Sequence, residues 1–295
     1  MHEPVLLKEV IELLRIKKEG RYVDGTLGLG GHAEAILKEL EPHGRLLGLD
    51  VDSESLVRAE NRLQPFGNRS NTRRSNFRGL QGILRDLGWG EADGLLFDLG
   101  VSSFQIDRGE RGFSFQKEGP LDMRLDPGSS ETAMSVLRTI SPDEFESLLR
   151  EFGEARFARK LAGRILDSLS QEKLKTTLDL ARICGQVAGG RGKVHPATRV
   201  FLALRAKVND EIGSLEALLN QIPECLTTGG RAAIISFHSI EDRLVKHSFS
   251  RLEKEGYEEK KFVRVTRKPV VPSPEELRAN PRSRSAKLRV LERTE

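Results

Sequence analysis

The feature that most constrains the fold is a glycine-rich turn near the start of the chain. A short β-prone run at residues 22–24 (YVD) leads into residues 25–32 (GTLGLGGH), and good helix formers follow to residue 40. Glycines in such a turn let the backbone approach a ligand closely, beside the free amide groups at the start of the helix. The turn therefore predicts a strand, a ligand-binding loop and a helix, in that order.

The same alternation continues along the first third of the chain. Residues 45–52 (RLLGLDVD) are typical of a second strand that ends on acids, and residues 53–63 are typical of a helix that Ser53 caps. Residues 93–98 (DGLLFD) form a third buried run. Strands that alternate with helices predict an α/β fold with an open parallel sheet and right-handed crossovers.

The pattern changes after the third strand. Residues 109–130 are rich in Gly, Pro, Arg and Asp and are typical of a long ordered loop. Residues 141–219 have helical periodicity, with Ser141 as N-cap and Pro142 in the first turn, and a glycine cluster at 189–192 interrupts them. Between about residues 104 and 228 the sequence predicts no strand.

Buried β-prone runs return near the C-terminus, at residues 231–237, 262–266 and 288–291. The economical interpretation is one α/β domain that a helical insertion interrupts. We expect the first part of the sheet domain at residues 1–107, the insertion at 108–210 and the second part of the sheet domain at 211–295.

Acidic residues beside the turn indicate which ligand it binds. Asp50 ends the second strand about 20 residues after the glycines, where a carboxylate accepts both hydroxyls of a ribose. The glycines alone also fit a dinucleotide site. Asp24, however, would repel a pyrophosphate and would face the ammonium group of a methionine moiety. Together with Asp98 at the end of the third strand, and Phe77 as an adenine contact, Asp24 favours S-adenosylmethionine over NAD.

Idiosyncratic motifs along the whole chain carry a family resemblance. The chain resembles the bacterial 16S rRNA cytosine-N4 methyltransferases of the RsmH (MraW) family. The matching segments are HEPVLL from His2, VDGTLGLGGH from Val23, DLGVSS from Asp98, GFSF from Gly112, PLDMR from Pro120, HPATR from His195, IISFHS from Ile234 with the following EDR, and NPRSRSAKLR from Asn280. The sequence departs from the family pattern at Phe104, Leu202 and Ala206, where Pro, Gln and Ile are usual.

The resemblance implies a Rossmann-like class I S-adenosylmethionine methyltransferase sheet with an inserted all-helical domain that recognises substrate. It also implies a set of cofactor contacts in this chain: Gly30, Gly31, His32, Asp50, Phe77, Asp98 and Gln105. The implied reaction transfers a methyl group to N4 of one cytidine in the decoding region of 16S rRNA, in the small ribosomal subunit.

Cytosine N4 is a poor nucleophile, so the enzyme must position it and accept its proton. Many amino-methyltransferases use a loop with two prolines and an aromatic residue, which the segment after Asp98 lacks. We expect Asp98, or a backbone carbonyl just after it, to accept the N4 hydrogen, and Ser102 is a second catalytic candidate. The alternative is that Asp98 only orients the cofactor.

RNA contacts are expected from two basic segments. Residues 62–85 hold six arginines and no acid, and residues 181–210 hold six basic residues and one acid. The alternative is a solvated face whose charges pair with acids from elsewhere. His195 and Arg199, in the second segment, are candidate substrate contacts. Asp122 and Arg124 are further candidates, unless they form a salt bridge within their own loop.

The remaining features predict a cytoplasmic protein without a metal. No stretch approaches the roughly 18 apolar residues of a membrane helix, and the N-terminus lacks a signal-peptide pattern. Cys184 and Cys225 stand alone, as core cysteines do, and the six histidines show no metal-ligand spacing. The oligomeric state stays open, a homodimer included. Three rival functions also stay open: an NAD-dependent oxidoreductase, a non-catalytic RNA-binding or assembly factor, and a DNA methyltransferase.

Overall fold

A computed structural model describes residues 4–154, 156–189 and 195–295. The chain divides into two compact units, which we call the sheet unit (Met1–Gly100 with Ile212–Glu295) and the helical unit (Val101–Glu211). The first boundary therefore lies at Gly100, where the sequence predicts 107, and the second at Glu211, where the sequence predicts 210. As a result, the segment with Ser102 and Gln105 belongs to the helical unit.

The sheet has seven strands within the described residues. In chain order they are β1 (Arg21–Asp24), β2 (Arg45–Asp50), β3 (Ser70–Arg74), β4 (Ala92–Asp98), β5 (Leu226–Ser236), β6 (Phe262–Arg264) and β7 (Lys287–Arg293). Their spatial order is β3-β2-β1-β4-β5-β7-β6. The pairs among β1 to β5 are parallel, whereas β7 runs antiparallel to both β5 and β6.

Helices connect and cover these strands. Those in the described residues are α1 (Leu7–Leu14), α2 (Gly31–Glu39), α3 (Ser53–Leu63), α4 (Leu80–Asp86), α5 (Ser103–Ile106), α6 (Ala133–Thr139), α7 (Pro142–Glu151), α8 (Ala158–Ser170), α9 (Thr177–Ala188), α10 (Ala197–Val208), α11 (Glu211–Cys225), α12 (Ser239–Glu255) and α13 (Pro274–Ala279). No helix in this part of the chain is long and apolar enough to span a membrane.

The central strands are apolar on both sides, as strands of a parallel sheet must be when helices cover both faces. Leu96 of β4 packs with residues of α1, α2 and α3 on one face. Leu95 and Phe97 pack with residues of α4, α11 and α12 on the other. The sheet unit is therefore a three-layer α/β/α arrangement, as the sequence predicts.

Three local features differ from the sequence predictions. β3 (SNTRR) was not predicted, because a polar strand at the edge of a sheet has no apolar pattern. β5 begins at Leu226, before the paired glycines, since a shift of register opposite β4 accommodates the extra residues. Asp52, not Ser53, caps α3: its side chain accepts a hydrogen bond from the amide of Glu54.

The described part of the helical unit contains no strand, in agreement with the sequence. Ser141 caps α7 in a capping box with Glu144, and Pro142 occupies its first turn, as predicted. α6 begins before the predicted helical region. Gly189 ends α9 in the left-handed conformation at φ 71°. The rest of the predicted glycine interruption lies outside the described residues.

Candidate cofactor site

The glycine-rich turn after β1 is held between two other strands. The amide of Gly25 donates to the carbonyl of Leu96 in β4 at 2.9 Å, and the amide of Leu27 donates to that of Leu49 in β2 at 2.8 Å. Parallel strands place their carboxyl ends at one edge of the sheet, where ligands of such sheets bind. These bonds therefore fix the turn at that edge.

Two positions of the turn require glycine, Gly25 because no space is left for a side chain and Gly30 because of its backbone conformation. A Cβ atom at Gly25 would lie 2.1 Å from the ring of Phe97. Gly30 caps α2 at φ 76°, in the left-handed region that other residues avoid. The turn consequently leaves the N-terminus of α2 close to the carboxyl end of β1, with no side chain from these positions in the way.

Asp24 ends β1 and is almost completely buried, with 1% of its surface exposed. Burial raises the pKa of Asp24 to about 7, although the nearby His32 and a hydrogen bond from the amide of Thr26 act in the opposite direction. A cation bound beside this carboxyl group would favour its charged form. Asp24 therefore fits an ammonium group better than a phosphate.

His32, in the first turn of α2, faces Asp98 at the end of β4. The distance from His32 Nε2 to Asp98 Oδ2 is 3.6 Å, and His32 is only 6% exposed. Both ring nitrogens of His32 and Oδ1 of Asp98 are buried without a hydrogen-bond partner among the described residues. Because buried polar atoms in proteins are nearly always paired, these atoms are candidates for contact with a ligand.

Asp50 keeps capacity for a ligand although backbone amides already bind it. Its two carboxylate oxygens accept from the amides of Gly28 at 2.7 Å and Asp52 at 2.9 Å. Burial raises the pKa of Asp50 to about 6. Each carboxylate oxygen can accept a second hydrogen bond, so both ribose hydroxyls can still be accommodated.

Phe77 lies just beyond β3 and packs edge-on against Phe97, with ring centroids 5.5 Å apart at 67°. Phe97 is fully buried in β4, next to Asp98. Phe77 itself is only partly buried. This position agrees with an adenine contact.

Sequence reasoning missed two residues that position this site. Thr26 accepts the amide hydrogen of Asp98 with its Oγ1 at 2.6 Å, which ties the turn to β4. Arg62 in α3 donates to the carbonyl of Leu29 at 3.2 Å and forms an ion pair with Glu34 at 2.8 Å. The only signal for Thr26 was its place inside the turn, and Arg62 was assigned instead to a surface for RNA.

The sequence of the whole chain decides the family. The MraW methylase family matches residues 1–294. The chain belongs to this family. It is 44% identical over 306 residues to "Ribosomal RNA small subunit methyltransferase H" of Syntrophus aciditrophicus, covering 99% of this chain and 97% of that protein. It is 46% identical over 305 residues to the protein of the same name from Carboxydothermus hydrogenoformans, at 99% and 97% coverage.

The family membership confirms two predictions, the RsmH (MraW) resemblance and a methyltransferase activity. The Rossmann-like fold is confirmed by the strand order with its reversed β7. A solved structure of an rRNA methylase described as putative, from Clostridium thermocellum, aligns over 99% of both chains, with a TM-score of 0.47 and 12% identity. That similarity is too low to add to the assignment.

In this methylase Ser102 and Gln105 form a local capping box at the start of α5. The amide of Ser102 donates to Oε1 of Gln105 at 2.9 Å, and the amide of Gln105 donates to Oγ of Ser102 at 3.2 Å. Gln105 is 4% exposed. Each predicted role, catalysis for Ser102 and cofactor contact for Gln105, would have to be combined with this capping function.

Asp122 and Arg124 form the salt bridge within their own loop. The guanidinium group of Arg124 meets both carboxylate oxygens of Asp122, at 2.8 and 2.7 Å, and also donates to the carbonyls of Pro127 and Ser129. Burial alone would raise the pKa of Asp122, but the hydrogen bonds from Arg124 hold it below its usual value. The methylase uses this pair to shape the loop.

His195 and Arg199 also have partners inside the helical unit. Nδ1 of the exposed His195 accepts from the amide of Ala197 at 3.1 Å, and its ring lies 4.9 Å from that of Phe115. Arg199 forms an ion pair with the buried Glu154 at 3.1 Å. His195 is therefore exposed, whereas the charge of Arg199 is compensated by Glu154.

The predicted basic segment at residues 62–85 is largely used by the sheet unit itself. Arg69 donates to two carbonyls at the end of α2, Arg73 pairs with Asp86, and Arg74 donates to the carbonyl of Val51. Together with Arg62 at the turn, these arginines fasten helices to the edge of the sheet. These contacts therefore favour the alternative interpretation of residues 62–85, in which the arginines pair with groups of the protein itself.

Proposed function

We propose that this chain methylates N4 of a cytidine in the decoding region of 16S rRNA, with S-adenosylmethionine as methyl donor. The supporting observation is the set of buried, unpartnered polar atoms of His32 and Asp98 beside the glycine turn. The rRNA substrate is supported by the relatives' name, and the N4 position and decoding region by the motif resemblance. Such a reaction would take place in the cytoplasm, on small ribosomal subunits.

The residues at the sheet edge fit this cofactor chemically. Asp24 would hold the ammonium group of the methionine part, and Asp50 would accept the ribose hydroxyls. Phe77 would contact the adenine, and Gly30 and Gly31 would let the turn approach closely. When bound, S-adenosylmethionine supplies a methyl group on a positively charged sulfur, which cytosine N4 can attack directly.

Asp98 is the best placed group to accept the proton that N4 must lose. As the new N4–carbon bond forms and the sulfur–carbon bond breaks, N4 gains positive charge and must lose one hydrogen. The backbone of Asp98 is fixed through Thr26, and its Oδ1 has no other hydrogen-bond partner in the described structure. The carboxylate can therefore accept N4–H and then the proton.

The helical unit is the candidate for RNA recognition. A target base has to leave its stack to reach a site at the sheet edge, and single-stranded or irregular RNA exposes its bases more easily. Contacts to RNA phosphates would supply the affinity and make it fall with salt. We expect these phosphate contacts in the helical unit, where His195 would contact a base or a sugar.

The deciding experiment is methyl transfer from labelled S-adenosylmethionine to small ribosomal subunits that lack their own modification. The labelled nucleoside is identified by mass after digestion. We expect N4-methylcytidine at a single position, and no transfer to subunits already modified there. Label in another nucleoside would overturn the N4 assignment. Tight cofactor binding without any label would overturn the rRNA substrate.

A further inference from the structure

A cleft in the helical unit is lined by basic side chains that sequence reasoning did not single out. It lies between α8 and α9 and has a volume of about 470 Å³. Its residues are Arg159, Lys160, Gly163, Arg164, Asp167, Gln186 and Val187. The three basic side chains are exposed, and none has a hydrogen bond or ion pair within the described chain. This sets them apart from the paired arginines of residues 62–85.

The spacing along α8 places these charges together. Lys160 and Arg164 are four residues apart, one helical turn, and Arg159 is adjacent to Lys160. Arg156, just before the helix, lies over the ring of Phe157 at 5.0 Å. Residues 156–166 contain no acid, so neighbouring side chains in this segment do not offset the charge.

These cations do not stabilise the helix that carries them. Arg159 and Lys160 lie in the first turn of α8, where the helix dipole favours anions, and this turn has no acidic residue. The neighbouring α7 and α9 follow the usual rule, with acids in their first turns. An anion bound in the cleft would compensate both the side chains and the helix terminus.

The cleft is also open at its centre. A Cβ atom at Gly163 would meet nothing within 4 Å, so the surface between the basic side chains is free for a polymer backbone. Asp167 is the one acid of the cleft lining, one turn beyond Gly163. Three exposed cations around an open groove match successive phosphates of a nucleic-acid strand.

We propose that the α8–α9 cleft binds phosphates of the substrate RNA. The proposal rests on the proposed function for the identity of the polyanion as RNA. Phosphate contacts fix the position of an RNA without reading its sequence. The cleft therefore contributes affinity and salt dependence, and leaves the choice of cytidine to other residues.

The test compares the triple variant Arg159→Gln/Lys160→Gln/Arg164→Gln with a matched control, Arg138→Gln/Arg150→Gln/Lys173→Gln. The control removes the same three charges from exposed positions of the same unit outside the cleft. Binding of a synthetic RNA hairpin with the decoding-region sequence is measured from about 50 to 200 mM salt. Binding of S-adenosylmethionine and thermal unfolding are measured on both variants.

We expect the cleft variant to bind RNA at least tenfold more weakly at low salt, and the magnitude of its slope of log K against log salt to fall by about two to three. The control should keep wild-type RNA binding, and both variants should bind cofactor normally. Wild-type affinity and slope in the cleft variant would overturn the proposal. If the triple variant does not fold, each single variant is expected to reduce the slope by about one, and unchanged slopes in all three would overturn it.

A wrong proposed function would be recognised by a different experimental result from a wrong cleft proposal. In that case the wild-type protein forms no N4-methylcytidine on small subunits. The RNA-binding comparison is independent of turnover, so a wild type that binds the hairpin and a cleft variant that does not would still support the cleft. A wild type that methylates small subunits but does not bind the hairpin would overturn the cleft proposal and leave the proposed function standing.

Discussion

His32 Nε2 lies 3.6 Å from Oδ2 of Asp98, although the two residues belong to the first turn of α2 and the last position of β4. The parallel pairing of β1 with β4 brings them together. This distance is beyond a good hydrogen bond. Each residue of the pair therefore keeps hydrogen-bonding capacity, His32 on the side of the glycine turn and Asp98 as the proposed proton acceptor.

Replacing Asp98 by Asn keeps the size of the side chain and removes its charge. We expect the rate of methyl transfer at saturating cofactor to fall by about a hundredfold or more, because general-base catalysis contributes at least that much. Single-turnover kinetics with labelled cofactor measure this rate. The control is Asp86→Asn, the same substitution at an exposed position. A variant that binds cofactor weakly but turns over normally once saturated would reduce Asp98 to orienting the cofactor.

Cofactor affinity should depend on pH through Asp24. Its pKa is raised by burial to about 7, and only the charged form attracts an ammonium group. As pH falls below about 7, the Kd for S-adenosylmethionine should rise by up to tenfold per pH unit. Asp24→Asn should bind weakly and lose the part of this dependence near pH 7, while Asp50, with a pKa of about 6, keeps its own contribution at lower pH. Calorimetric titrations between pH 5.5 and 8.5 test it, and parallel pH profiles for wild type and variant would contradict the assignment.

The same group affects the cofactor-free protein with a defined sign. A carboxyl group whose pKa is higher in the folded state binds its proton more tightly there, so stability falls as pH rises from the unfolded value near 4 towards 7. Asp24→Asn should flatten the pH dependence of the melting temperature in this window. An unchanged dependence in the variant would show that another group is responsible, and Asp50, whose pKa burial raises to about 6, would be the first to test.

Two glycine substitutions should change stability in opposite directions. Gly25→Ala puts a methyl group 2.1 Å from the Phe97 ring, and we expect a loss of about 1–3 kcal/mol from overpacking. Gly82→Ala, inside α4, meets nothing within 4 Å and should gain about 0.5–1 kcal/mol from helix propensity. Denaturant unfolding measures both. A stable Gly25→Ala protein would contradict the close packing of the turn on β4.

We expect substitution of Arg199 to lower the stability of the fold, whether or not Arg199 contacts RNA. Its partner Glu154 is buried, with 6% of the side chain exposed, so Arg199→Ala leaves a carboxylate without its cation. We expect a loss of about 1–3 kcal/mol in the free energy of unfolding. The double variant with Glu154→Gln should recover at least half of it. RNA binding by that double variant then tests Arg199 as a contact, and wild-type affinity would remove it from that role.

Predictions succeeded where a local pattern determines a local structure. The β-prone run at residues 22–24 and the glycines after it are enough to predict a strand followed by a turn. Asp98 was predicted at the end of a strand because the apolar run before it stops there. The resemblance then added His32, whose position beside Asp98 depends on strand pairing. Adjacent sequence could not have shown that relation.

Charge was harder to interpret than hydrophobicity. A cluster of arginines in sequence looks the same whether its partners are RNA phosphates or carbonyls at the end of α2, and Arg69 has the latter. Conversely, Arg159 and Arg164 attract no notice in the sequence, since their common surface exists only once α8 has formed beside α9. Salt-bridge partners and clefts are tertiary properties, so neither could be predicted from composition.

The position of β5 beside β4 has a consequence for biosynthesis. β4 is complete at Asp98, but its neighbour begins at Leu226, after the whole helical unit has been synthesised. At about 5–20 residues per second, a ribosome making this chain leaves the apolar edge of β4 without its partner for on the order of ten seconds. During that interval the helical unit, rich in local contacts, has time to fold, whereas the half-finished sheet is open to aggregation.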